Sequence, residues 1–266
     1  MTWIALTYHD VPESEDGVGH FAVPRVRFGR QLELARAMGA ELTTLEAAVG
    51  RAESRSVALT FDDGDQTHYT CAFPELVSRA MRASFFVITD RVGTAGYVTW
   101  AQLREMAAAG MSIGSHTASH AFLSTLSAAR LRDELARSKG ALDDALGQST
   151  STLALPGGDE PVRALWPLVH EAGFTLVATS RPGANGRALP TAPGGARLVR
   201  RLTVRHGQPE AHFPRQLRQD ARVVLAARLR FALLEGLRGA VGRDRYARWR
   251  RSLLDRHPGA TRVLGS

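Results

Sequence analysis

Leu59-Thr60-Phe61-Asp62-Asp63-Gly64 sets two neighbouring carboxylates and a glycine directly behind an apolar run that begins at Val57. Val57 to Phe61 has the length and the β-branched and aromatic content of a buried strand, and Gly64 permits the sharp exit that turns both acids toward a common space. Adjacent carboxylates repel unless a cation lies between them or one holds a proton, so a metal or a catalytic role is the leading explanation. An Asp-Asp-Gly turn between strands is the plain alternative.

Further along, Ile113-Gly114-Ser115-His116-Thr117-Ala118-Ser119-His120 ends a second strand-like run with two histidines four residues apart. They face the same way if the segment makes one helical turn, and two neutral imidazoles with one carboxylate form a zinc-type donor set that leaves a coordination position open. A lone His-x-x-x-His is often only a polar helix face, a reading weakened here by the acids upstream. Thr60-Phe61-Asp62-Asp63-Gly64 and His116-Thr117-Ala118-Ser119-His120 resemble the first two motifs of the polysaccharide deacetylases, carbohydrate esterase family 4.

Strand-like runs recur at Trp3–His9, Val57–Asp62, Ser84–Thr89, Met111–Ser115, Thr152–Pro156, Phe174–Ser180 and Leu198–Arg205, most of them separated by segments of helical period. Thr99 with Gln102 reads as a capping box for a helix closed by Gly110, and Ser127 opens another that Gly147 closes. A helix through Phe28, Leu32, Ala35 and Met38 follows a polar loop from Asp10 to Pro24, a candidate substrate lid. The pattern predicts about seven βα units, which an open doubly wound sheet or a barrel would satisfy. The resemblance implies the barrel, a distorted (β/α)7 barrel over residues 1–206; residues 207–266, which it leaves unexplained, read from their apolar spacing and charge as a basic helical C-terminal extension. Either architecture gathers functional loops at the carboxyl ends of strands, where His9-Asp10, Asp62-Asp63, His116 to His120, Gly157-Gly158, Arg181 and His206 all fall.

The expected chemistry is metal-assisted hydrolysis. Asp63, His116 and His120 are the candidate ligands of a divalent ion, zinc by the donor set, and Asp62 is the candidate general base, an order that matches the family's. Pro156, Gly157 and Gly158 form a turn whose backbone N–H groups could approach an oxyanion, with a plain turn as the alternative. Relative to the family pattern, the third motif lacks its arginine (Ala154) and its aromatic residue (Gly157), a form closer to the poly-N-acetylglucosamine deacetylase branch. The acidic and tryptophan residues of the fourth motif are missing from Ala178–Asn185. Arg181, at the end of a predicted strand, is therefore the candidate partner of Asp62, with a plain surface arginine as the alternative. His206 stands near the place of the family's fifth-motif acid without its Leu-x-His spacing; His9 is the alternative. Trp100 lines a sugar cleft or packs its helix, and His68, His170 and His212 read as solvated. The resemblance implies removal of an N-acetyl group from an amino sugar or glycan, a lipid- or nucleotide-linked precursor included. Another amide or imide, an O-acetyl ester, or a carbohydrate-binding relative without activity are the alternatives.

Composition constrains the setting. The 266 residues carry 34 basic and 26 acidic side chains, and residues 207–266 alone hold 13 Arg against 5 acids, the whole net charge of +8. Nothing resembles a nucleic-acid-binding motif. Cys71 is the single cysteine, so no internal disulfide forms. The absence of a signal-like start or a long apolar run leads to the expectation of a cytoplasmic protein. Apolar residues at helical spacing among arginines over 221–254, including Trp249, either pack on the barrel or hold the protein to an anionic membrane surface. Oligomeric state is not legible.

Overall fold

The computed structural model describes residues 2–15, 19–51 and 55–242. Its strands are β1 (Ile4–Tyr8), β2 (Glu41–Thr43), β3 (Ser56–Phe61), β4 (Ser84–Val87), β5 (Ser112–Ser115), β6 (Thr152–Ala154), β7 (Leu176–Ala178), β8 (Arg197–Val199) and β9 (Leu202–Thr203). They form one sheet in the order β8-β7-β6-β5-β4-β3-β1-β9, and these strands pair in parallel. Parallel neighbours need crossovers, and α1 (Arg25–Ala37), α2 (Leu45–Gly50), α3 (Phe73–Val77), α4 (Trp100–Ala108), α5 (Ala128–Leu146) and α6 (Trp166–Glu171) supply them.

Arg200 and Arg201 alone separate β8 from β9, yet these strands stand at opposite ends of the sheet order. The sheet must therefore curl until its ends meet at these two arginines, which excludes the open doubly wound arrangement and gives the distorted barrel. The single strand expected over Leu198–Arg205 is one extended stretch that pairs first with β7 and then with β1. At the break the Asn185 side chain accepts from the Arg200 N–H and donates to the Arg200 carbonyl, both at 2.9 Å, so the backbone leaves one edge without orphaned groups. Counting β8 and β9 as one strand and setting β2 aside, seven strands line the barrel. β2 is too short to show a period; it pairs with the start of β3, and β4 takes the end of the same strand.

Strand alternation separates two apolar layers. Ala5, Ala58, Phe86, Ala154, Ala178 and Val199 cluster with Trp3, while Leu6, Tyr8, Leu59, Phe61 and Phe85 join Phe28 and Leu32 of α1. Small interior residues leave room for polar side chains at the strand ends. Thr99 and Gln102 make the expected capping box, Ser127 caps α5, and Gly147 ends it at φ 65°.

The described parts of the Asp10–Pro24 loop fold back onto the barrel instead of standing free: Val11, Phe21, Ala22 and Val23 are buried and the Val23 N–H bonds to the Asp10 carbonyl. Beyond the barrel, α7 (His212–Leu217) and α8 (Ala221–Val241) pack on its edge through buried Phe213 and Val223. Leu225, Leu229 and Leu233, expected on the packed face of α8 if the tail were scaffold, are instead 56%, 62% and 66% exposed. The stretch from Tyr246 to Leu254, with Trp249, lies outside the described residues. Among the described residues no helix is long and apolar enough to cross a membrane.

Candidate active site

The Asp62 N–H still bonds to the Tyr8 carbonyl at 3.0 Å, continuing the ladder from β3 to β1, whereas Asp63 turns left-handed at φ 82° and Gly64 follows at φ 79°. A Cβ on Gly64 would stand 3.1 Å from Val87 Cγ1, so that position needs glycine for space as well as conformation. It is this left-handed step that parts the two carboxylates and sends them to different partners.

Asp63 meets the histidines. Its Oδ1 lies 3.4 Å from Nε2 of His116 and 3.4 Å from Nε2 of His120. Ligand atoms of the three residues all fall within 4.8 Å of one another, the one such group of three or more His, Cys, Asp or Glu among the described residues. His116 Nδ1 is 2.9 Å from the Ala154 carbonyl, which can only accept; Nδ1 therefore carries the proton, and the Nε2 lone pair faces Asp63 and His120. Two imidazoles and one carboxylate so disposed fit a divalent ion. Burial alone would raise the Asp63 carboxyl, but the imidazoles of His116 and His120 beside it outweigh burial and hold the group well below the usual carboxylate range.

The His116–His120 segment is a loop, not the helical turn that the spacing suggested. Thr117 and His120 are left-handed, at φ 65° and 63°. Side-chain oxygens take the amides that a helix would have bonded: Ser115 Oγ accepts from the Thr117 N–H at 3.0 Å, Thr117 Oγ1 from the His120 N–H at 3.1 Å, and Glu134 Oε1 from the Ser119 N–H at 2.6 Å. Three of the five non-glycine residues with positive φ among the described residues, Asp63, Thr117 and His120, sit at this centre. Such backbone is held by its surroundings at a cost of roughly 1–3 kcal/mol per residue.

Asp62 does not pair with Arg181. Arg181 makes an outward bidentate pair with Glu160, at 2.5 and 2.7 Å, and is 54% exposed at its side chain. Asp62 is instead clamped by Arg201, whose Nη1 and Nη2 each lie 2.7 Å from a carboxylate oxygen. Arg201 comes from the break between β8 and β9, and its remaining donors reach the Thr179 carbonyl at 3.0 Å and Thr60 Oγ1 at 3.1 Å. Burial pushes the Asp62 carboxyl up; Arg201, aided by His116, outweighs it and keeps the group below its ordinary value.

The structure brings His9 to this centre and leaves His206 apart. His9 is buried, its Nδ1 has no hydrogen-bond partner, and its charge couples to Asp62, Asp63, Arg201 and His116. Burial is the largest influence on its imidazole and lowers its pKa, with the carboxylates pulling the other way. His206 lies beside His20, to whose carbonyl its N–H bonds at 3.0 Å. His68, expected in solvent, is buried and donates from Nε2 to the His9 carbonyl at 2.6 Å, fixing the backbone there. His170 is exposed, and His212 is half-buried beside α8. Trp100 opens α4 and packs against the main core.

Pro156, Gly157 and Gly158 form a tight buried turn with Gly157 at φ 58° and Gly158 at φ 67°. The Gly158 and Asp159 amides close it, onto the Leu155 and Pro156 carbonyls at 3.0 Å each, so of the two glycines only the Gly157 N–H stands outside these bonds. A Cβ on Gly158 would come within 2.6 Å of the Ser180 Cβ. The Gly157 carbonyl accepts from Arg238 of α8 at 3.0 Å, tying the C-terminal helix to the turn. Arg201, His68, Glu134 and Arg238 escaped sequence reasoning. The first and third left a trace: Arg201 interrupts the apolar run Leu198 to Val204, and Glu134 interrupts the Leu131, Leu135, Leu142 stripe of α5.

The sequence pattern of the polysaccharide deacetylase family matches residues 50–177. The protein YxkH of Bacillus subtilis is 30% identical over 191 residues, 68% of this chain and 66% of its own length. The poly-β-1,6-N-acetyl-D-glucosamine N-deacetylase of Staphylococcus epidermidis is 27% identical over 208 residues, 65% of this chain and 72% of that one. Among solved structures, IcaB from Ammonifex degensii superimposes with a TM-score of 0.68 at 30% identity, covering 82% of this chain and 96% of that chain.

Proposed function

As this chain belongs to the polysaccharide deacetylase family, we propose that it hydrolyses the N-acetyl group of an N-acetylated glucosamine glycan or precursor. The observation that carries the proposal is the pairing of two carboxylates with separate duties: Asp63 facing His116 and His120, and Asp62 clamped by Arg201 beside them. A divalent ion on Asp63, His116 and His120, zinc by the donor set, would supply Lewis acidity toward the acetyl carbonyl and acidify water. Asp62, kept ionised by Arg201, accepts the proton of the attacking water. The Gly157 N–H donates to the oxygen that gains charge as the carbonyl becomes tetrahedral. His9, in place of His206, relays to the departing amine nitrogen the proton that Asp62 takes from water, because it directly follows Tyr8, whose carbonyl accepts from the Asp62 N–H, and its charge couples to both acids.

The test is acetate release by the metal-replete protein from β-1,6-linked N-acetylglucosamine oligomers, from N-acetylglucosamine and from an O-acetylated xylan. The proposal expects release from the N-acetylated sugars, lost on chelation and restored by zinc; release from the ester alone would overturn it.

We also propose that α8 contacts an anionic membrane surface. Exposed Leu225, Leu229 and Leu233 share α8 with exposed Arg222 and Arg228, an arrangement suited to an anionic lipid surface, where each basic residue contributes ~1 kcal/mol. Co-sedimentation with phosphatidylglycerol vesicles at low salt should fall in Leu229→Glu; equal sedimentation of both proteins would remove α8 as the contact.

A further inference from the structure

Apart from the metal centre, a cavity of about 170 Å³ lies between β9 and α8 and reaches Gly157 at one end. Arg205, Arg230 and Arg238 line it together with Thr203, His212 and Gln216, and among the described residues no carboxylate does. Arg238 is accounted for by Glu235, at 2.7 Å, and by the Gly157 carbonyl. Arg205 and Arg230 are not. Among the described residues neither has a carboxylate partner; Arg230 lies 3.4 Å from His20 Nε2, and Arg205 stacks 5.7 Å over the Phe21 ring with its Nε buried and unpartnered.

Half-buried Arg205 facing the exposed Arg230 across one recess without a carboxylate is costly, because burial strips part of the solvation of Arg205 and each charge opposes the other. The effects are visible in the neighbours. Burial, and then Arg230, push the Arg205 guanidinium down to about 10. His20 is lowered by burial and then by Arg205 and Arg230, and His212 by burial, Arg215 and Arg205. An anion between the guanidiniums would relieve these costs through charge-assisted hydrogen bonds.

We infer that this cavity is a binding site for a phosphate group held between Arg205 and Arg230. Gln216 selects phosphate among oxyanions: its Nε2 is committed to the Thr203 carbonyl at 3.2 Å, which leaves the buried, unpartnered Oε1 as an acceptor. A monoprotonated phosphate has a hydroxyl to donate there, whereas sulfate and a carboxylate have none. The phosphate has two sources, the phosphoryl group of a sugar substrate or free phosphate. The first rests on the deacetylase reading, since the cavity meets the Gly157 turn; the second does not.

The experiment titrates the full-length protein with inorganic phosphate, sodium chloride holding ionic strength constant, and follows binding heat and melting temperature. One saturable site and a rising melting temperature are expected in the wild type and in His116→Ala, which separates the cavity from the metal centre. Both responses should vanish in Arg230→Gln, whose phosphate-free melting temperature should be no lower than wild type because like-charge repulsion is relieved; Arg205→Gln serves as the second variant. Absence of saturable binding in the wild type, or unchanged binding in both variants, overturns the inference. N-acetylglucosamine 1-phosphate then distinguishes the sources. A KM at least ten-fold below that of N-acetylglucosamine, with the gap closed in Arg230→Gln, supports the substrate's phosphoryl group, and equal KM values with phosphate binding intact support free phosphate. Wild-type protein that releases no acetate from any sugar would defeat the deacetylase reading, and the titration would still decide the site.

Discussion

At the scale of single residues, the proposed function makes the Asp62–Arg201 pair decide whether the base is ionised at working pH. A neighbouring cation favours the ionised carboxylate, so removing it raises the Asp62 pKa and leaves the base protonated over a wider acidic range. Arg201→Met should therefore move the acidic limb of the kcat/KM profile to higher pH, and Arg201→Lys, which keeps the charge but not the fork, should move it less. Arg201→Met should also lose roughly 3–5 kcal/mol of stability, the usual cost of leaving one member of a buried pair. By linkage, the pair's contribution is present above the ordinary carboxylate range and is lost as pH falls through the depressed pKa of folded Asp62. A pH-rate profile of both variants and chemical denaturation check these outcomes; an unmoved limb in Arg201→Met would show that Asp62 is not the titrating base. His116→Ala should lose the metal, since a carboxylate and one imidazole hold a dication weakly, and full metal occupancy in that variant would remove His116 from the set.

At the scale of elements, the loop that carries both histidines is shaped by α5 and the turn that carries Gly157 by α8. Glu134 accepts from the Ser119 N–H and hydroxyl, and without it the left-handed backbone at Thr117 and His120 lacks one of its restraints. Glu134→Gln should lower metal affinity by about 10- to 100-fold with the fold intact, the scale of an outer-shell loss, as read by competition with a chromogenic chelator. Arg238→Met should lower kcat with little change in KM, because the Gly157–Gly158 peptide, in a conformation that glycine reaches and leaves easily, loses the partner of its carbonyl. A KM rise at constant kcat would assign Arg238 to substrate binding instead. These contacts also bear on truncation, since cutting after Gly207 would remove buried Phe213 and Val223 along with Arg238.

Much of the molecule was legible at the scale of the whole chain. Strand residues buried on both faces made continuous apolar runs, and the carboxyl ends of those runs carried Asp62, Asp63, His116 and His120, so the location of the site followed from order alone. Barrel closure did not follow from the pattern, because it hinges on one strand changing partners at Arg200 and Arg201, and a period of two is the same before and after the switch. The partner of Asp62 was not legible for a related reason. Arg181 follows the strand expected over Phe174–Ser180, whereas Arg201 falls inside the one expected over Leu198–Arg205, and only the break between β8 and β9 turns Arg201 inward while Arg181 points out to Glu160. The loop conformation at His116 to His120 depends on Ser115, Thr117 and Glu134 as local acceptors, which a four-residue spacing does not encode. The central claim is that the adjacent acids divide the work, Asp63 as ligand and Asp62 as base. Metal content and kcat on an N-acetylglucosamine oligomer, measured together for wild type and Asp62→Asn, test it most directly. The account predicts one bound dication in both proteins with kcat lower by roughly 10²–10⁴ in the variant, the usual worth of a positioned base; near-normal turnover, or loss of the metal along with activity, would contradict it.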